Sequence, residues 1–134
     1  MTSPLPPWTR WGFVAAAGYN FGILGVTYGL NNPVLFDADP TVWSAPSSIL
    51  VMLWGLAYLS LARDHEHARW TVLVFAIEKA LYGALWLRYL LADSTDLAAI
   101  TAQDPLTGVF LGAYGAGDLL FCAFFAWVFF RLTR

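Results

Sequence analysis

A single cysteine, Cys122, leaves no partner for an intramolecular disulfide. Its place between Phe121 and Ala123 in an apolar run reads as a small packing residue rather than a thiol catalyst. Charge is scarce as well: 7 Lys and Arg and 9 Asp and Glu in 134 residues, 12% in all, with a formal net charge of −2. Without clustered Lys and Arg outside the apolar runs, no nucleic-acid partner is expected. The chain also lacks a His-rich metal cluster, an activated Ser or Cys arrangement and a phosphate loop. An enzyme is therefore the least favoured class, and no motif implies a cofactor. What the chain has instead is apolar bulk. Hydrophobic residues make up 59% and the mean hydropathy is +0.60, more apolar surface than a soluble domain of this length can hide.

Four apolar runs, at about 11–30, 43–61, 70–92 and 108–130, each approach the 20 or so residues that cross a bilayer core. They predict an all-α fold, an integral membrane four-helix bundle running up-down-up-down as one domain over 1–134. Residues 1–10, with three prolines and Arg10, read as a short extended lead-in with Trp8 at headgroup level. The run that follows is too long for an h-region, so no cleavable signal is expected. In the first span Gly18 and Gly22, and again Gly25 and Gly29, stand four residues apart, a spacing that lets another helix approach closely. Residues 31–46 read as a turn and a surface segment in which Val34, Leu35 and Phe36 dip into the interface. The second span has Pro46 in its first turn, where no backbone donor is missed, and presents Trp54 and Tyr58 at i, i+4. The link 63–69, RDHEHAR, is short enough to make a helical hairpin. Its His65, Glu66 and His67 form at best an incomplete metal set, and the solvated turn is the preferred reading. Residues 93–107 are acidic, with one helical turn expected around Leu97 to Thr101.

Arg10, Arg63, Arg69, Arg131 and Arg134 all fall on one side of this arrangement, and the other two loops hold no Lys or Arg. The positive-inside rule then predicts both termini in the cytoplasm, in a multi-pass inner-membrane protein. Arg88, in the last turns of the third span, snorkels to the outer headgroups. So strong a bias also argues against a dual-topology antiparallel dimer.

Ionisable groups inside such spans are expensive and mark a site by default. Asn20 and Lys79 each lie nine residues from the inner end of their spans, about 13 Å deep, and Asp118 lies twelve residues in, about 18 Å, at ~1.5 Å per residue. All three can meet at one level. Glu78 and Lys79 are about 100° apart around their helix, so they cannot share one direction. Lys79 is expected to reach Asp118. Glu78 is then left without a cation and, as an acid, is expected to donate a hydrogen bond to Asn20, to Tyr82 or to a carbonyl-bearing guest. The charge balance of two carboxyls against one ammonium predicts that one carboxyl is protonated. Two readings stand side by side. Either these groups fix helix register and pairing, or they line a midplane pocket formed by Asn20, Trp54, Tyr58, Glu78, Lys79, Tyr82, Tyr114 and Asp118, in which aromatic walls take an apolar guest.

Several short motifs carry a family resemblance. They are Tyr19-Asn20 with Gly25, Leu53-Trp54 and Ala57-Tyr58 followed by Ala62-Arg63-Asp64 and Trp70, Lys79 with its aromatic neighbours, and Gly117-Asp118-Leu119. In these the chain resembles the bacterial four-helix membrane proteins grouped as DoxX-like. Some of that group are membrane subunits associated with quinone-linked redox enzymes, so the resemblance implies a bacterial membrane setting and contact with quinone or lipid. Three functions compete. The first is a membrane protein that binds a hydrophobic small molecule or lipid. The second is a non-catalytic subunit of a larger membrane complex, for which the glycine faces suffice. The third is a proton-coupled carrier working as a homo-oligomer, with Glu78 or Asp118 titrating.

Overall fold

The computed structural model describes residues 4–134, so the first three residues of the expected lead-in lie outside the described residues. Within them the chain is helical, without a strand: α1 (Thr9–Phe21), α2 (Ile23–Val26), α3 (Pro33–Ala38), α4 (Ala45–Leu61), α5 (Arg69–Leu90), α6 (Leu97–Gln103) and α7 (Pro105–Leu132). Four of these helices start at a short polar side chain that satisfies a free donor of the first turn: Asn32, Ser44, Asp96 and Asp104. α3, α4 and α7 also carry proline in that turn, where its missing N–H is not needed. At α4 the cap is reciprocal: Ser47 N donates to Ser44 Oγ at 3.1 Å and Ser44 N to Ser47 Oγ at 2.8 Å.

α5 and α7 match the third and fourth expected spans, and they are the two described helices long and apolar enough to cross a membrane. α4 is a shorter apolar helix. The first expected span is not one helix. α1 stops at Phe21, α2 is a single turn, and Tyr28, Gly29 and Leu30 reverse the chain with φ of 50°, 73° and 73°. Left-handed backbone costs a non-glycine residue about 1–2 kcal/mol. It is held here by Gly29 N donating to Leu24 O at 2.9 Å and Asn31 N to Thr27 O at 2.7 Å. The packing role expected of Gly18, Gly22, Gly25 and Gly29 is not met within the chain: a Cβ built on Gly18, Gly25 or Gly29 would find no heavy atom within 4 Å, and one on Gly22 only the backbone oxygens of Tyr19 and Gly18.

Interhelical contact comes from other glycines. Gly83 of α5 takes Leu119 of α7, and Gly115 of α7 takes the Trp86 ring, so α5 and α7 run antiparallel. Gly55 of α4 lies under Phe21 and Asn20 of α1, where an added Cβ would stand 2.9 Å from Phe21 Cε1. One end of the molecule gathers the N-terminal segment, the α4–α5 link and the C-terminus: Trp8 stacks on Trp127 at 5.2 Å, and Trp70 meets Phe129 at 5.7 Å. We call it the terminal end. His65 of the α4–α5 link is buried there, stacked 4.8 Å from Phe13, so this link is not the wholly solvated turn its charge suggests. No group of three metal-ligating side chains occurs among the described residues.

The opposite, capped end is closed by α3 and α6. Asn32 Nδ2 donates to Val26 O and to Thr107 Oγ1, both at 2.8 Å, and the Tyr28 hydroxyl donates to Asp104 at 2.8 Å. Leu35, expected at a lipid interface, is fully buried in this cap because α3 folds inward. Two apolar clusters result, one around Phe13, Tyr58, Phe75, Phe125 and Val128 at the terminal end, the other around Ile23, Leu35, Trp43, Val51, Leu111 and Tyr114 near the cap.

Candidate functional site

Between the two clusters lies the only lysine of the chain. Lys79 is 1% exposed, and its Nζ donates to Asp118 Oδ1 and to Asn20 Oδ1, each at 2.7 Å. The expected ion pair therefore forms, and Asn20 joins it from α1. Asn20 is held in turn by its own amide, which donates to Val51 O at 2.9 Å. The Tyr19 and Tyr58 rings lie 5.2 and 5.4 Å from the same ammonium, close enough for a cation–π attraction that offsets part of its lost hydration.

Glu78 points elsewhere, as the 100° step per residue requires. Its partner is not the Asn20 or Tyr82 expected from sequence. The Tyr58 hydroxyl, reaching across from α4, donates to Glu78 Oε2. Asn20 faces Lys79 instead, accepting from its ammonium on Oδ1 and giving one amide hydrogen to Val51 O.

A cavity of about 310 Å³ opens above this cluster toward the cap. Its walls include six of the expected site residues, Asn20, Glu78, Lys79, Tyr82, Tyr114 and Asp118. Tyr58 lies beneath it, bonded to Glu78 and under the Lys79 ammonium, and is not itself part of the wall. Trp54 is a correction: it lies edge-on to Phe75 at 6.1 Å and lines a shallow groove with Trp70 on the outside of α4 and α5. Gly55 takes the inward position at that level, pressed by Phe21 and Asn20, which turns its neighbour Trp54 about 100° away.

Sequence reasoning missed several wall residues. Tyr19 donates its hydroxyl to Tyr114 O and lies over Gly117, which has no side chain to obstruct it. Trp43, in the Pro-rich link before α4, is 3% exposed and packs against Phe110 and Tyr114 with ring centres 5.1 and 5.0 Å away. A tryptophan amid Asp39, Pro40 and Pro46 was the one available signal, since a large ring in a turn needs somewhere to go. The cavity exists because α1 stops at Phe21 and the single turn of α2 does not fill the space beside α7. Its mouth lies on the side, between α2 and the start of α7, where Leu106 and Val109 are 45% and 64% exposed. At the cap, burial pushes the Asp39 carboxyl above its ordinary range. The hydrogen bond from Tyr28 instead holds the Asp104 carboxyl below it.

The arrangement offers no nucleophile paired with a base and no metal set. It offers an apolar chamber with a compensated charge cluster as its floor. In comparisons with known proteins, no family model, no curated protein and no solved structure matches the chain. Fold and site define an all-α protein of two antiparallel helix pairs, α1–α4 and α5–α7, joined across a buried lysine.

Proposed function

We propose that the protein spans the bacterial inner membrane four times, with both termini cytoplasmic, and holds a hydrophobic small molecule or a lipid in the cavity. The observation that carries this reading is the chamber of about 310 Å³ set directly on the Lys79–Asp118–Asn20 cluster. That volume lies within the range of ligand pockets, about 300–1,000 Å³. A membrane setting is supported by the outward faces of α5 and α7, whose most apolar windows are only 33% and 28% buried within the protein. The five basic residues named above fall at or near the terminal end. Backbone donors of the left-handed turn are met within the chain, Leu30 N by Thr27 Oγ1 at 3.1 Å, Gly29 N by Leu24 O at 2.9 Å and Asn31 N by Thr27 O at 2.7 Å, as a lipid setting demands.

The DoxX-like resemblance belongs to the same proposal, since Asn20, Lys79 and Asp118, three of the residues that carry it, are those that the cluster joins. A quinone is one guest it suggests. The second reading, a subunit of a larger membrane complex, is favoured by one observation: the open face of Gly18 and Gly25 is free to receive a helix from outside the chain. Native mass spectrometry of the detergent-purified protein with analysis of extracted small molecules tests the first reading. A stoichiometric apolar guest is the expected result; an empty protein travelling with a larger partner would favour the second. Topology is checked by impermeant thiol labelling, which should reach Ser94→Cys and not Ala68→Cys from outside intact cells.

A further inference from the structure

Two polar groups in the cavity wall make no well-formed hydrogen bond. The Trp43 indole N–H and the Tyr114 hydroxyl are both buried, and neither has a hydrogen-bond partner. They are close neighbours without meeting the geometry of a hydrogen bond to each other. Both side chains line the chamber at its capped end, with Tyr114 one helical turn from Asp118 on α7. Among the described residues, the only other buried side-chain polar atoms without a partner are Asp39 Oδ2 and His65 Nε2, and a buried donor left unmade calls for a partner.

The chemistry of that partner follows from the groups present. An indole N–H can only donate, and a phenol donates readily, so the missing piece is an acceptor with two lone pairs. Asp39 Oδ2, on the same link as Trp43, is itself buried and unpartnered, so it does not serve them. Charge on the guest is disfavoured on the negative side, because Glu78 and Asp118 already face a single ammonium across the same chamber. The walls beside the two donors are aromatic, with Phe110 stacked 5.0 Å from Tyr114. The mouth at Val109 leaves room for an apolar remainder to extend outward.

Resting on the reading that the chamber takes an apolar guest, we infer that this guest carries an uncharged carbonyl oxygen, received jointly by Trp43 Nε1 and the Tyr114 hydroxyl. Trp43 and Tyr114 are then the residues that select an apolar ketone or ester over a plain hydrocarbon. Glu78, satisfied by Tyr58, does not contact the carbonyl.

The test uses the full chain in lipid nanodiscs and two probes of nearly equal shape, acetylnaphthalene and isopropylnaphthalene, with uptake corrected for empty nanodiscs in equilibrium dialysis. The ketone is expected to bind about tenfold more tightly than the hydrocarbon, as two net hydrogen bonds provide. Trp43→Phe and Tyr114→Phe should each lower that preference about threefold, read as the ratio of the two probes on the same variant, whose isopropylnaphthalene binding reports that the chamber is intact. Equal binding of the two probes, or a preference that survives both substitutions, overturns the inference and leaves the chamber as a purely apolar site. Uptake of neither probe above empty nanodiscs overturns the binding reading itself.

Discussion

The two ends of the molecule are built by the same helices and differ in how α1 meets α7. At the terminal end Gly12 admits Phe124, Ala16 and Ala17 are fully buried, and Phe13 meets Phe125 at 5.3 Å, so the space between the helices is filled. At the capped end α1 has already stopped at Phe21, the chain turns through left-handed backbone, and a chamber remains. Close packing at one end fixes where the helices are; failure to continue at the other end creates the space they enclose. The lysine cluster sits at the boundary, and it both ties the two helix pairs and floors the chamber.

That contrast can be broken at several points. The largest effect is expected at the boundary. Lys79→Met strands Asp118 and should destabilise by about 3–5 kcal/mol, and Lys79→Met with Asp118→Leu should recover part of the loss. Denaturing-detergent titrations of the four proteins in the cycle check this, and additive losses would mean that the pair is not coupled. Next comes packing: Phe125→Ala at the filled end should cost about 3 kcal/mol, against less than about 0.5 kcal/mol for Leu106→Ala at the mouth of the chamber. Thermal unfolding in one detergent ranks them, and similar losses would erase the distinction between filled and open ends.

Glycines sharpen the comparison further. Gly55→Ala places a methyl 2.9 Å from Phe21 Cε1 and should cost about 1–3 kcal/mol, whereas Gly18→Ala enters open space and should be neutral or stabilising by up to about 1 kcal/mol. The smallest effect is at the cap. Asp104 is held below its ordinary value by the Tyr28 hydroxyl, so its folded value lies below an unfolded one near about 3.9. The stabilisation is fully present above the unfolded value and is lost as pH falls through the folded one. Tyr28→Phe should flatten that acid-side slope in melting temperature against pH, and an unchanged slope would remove Asp104 as its source.

Much of the buried cluster was legible in the sequence. Counting residues from the span ends put Asn20, Lys79 and Asp118 at one depth, and the 100° step separated Glu78 from Lys79; both follow from helix geometry alone. α5 and α7 were legible because their apolar runs are long and hold no proline. The break after Phe21 was not, since residues 11–30 form one largely apolar run, and hydropathy is blind to backbone that turns left-handed at Tyr28 and Leu30. The same blindness hid the chamber and with it Trp43, which enters the wall from a link rather than from a span. Trp54 was misplaced because an i, i+4 pairing with Tyr58 says that two side chains share a face, and Gly55 beside it decided which of them faces inward.

The central claim is that the chamber at the capped end is occupied, and filling it tests this most directly. Ala113 lines the chamber and is exposed, so Ala113→Trp puts a large ring into the space without displacing a core side chain. The account predicts that mass spectrometry finds an apolar guest bound one to one on the unaltered protein and lost from Ala113→Trp, with thermal unfolding little changed. Retention of the same guest at the same stoichiometry by a folded Ala113→Trp protein would contradict it.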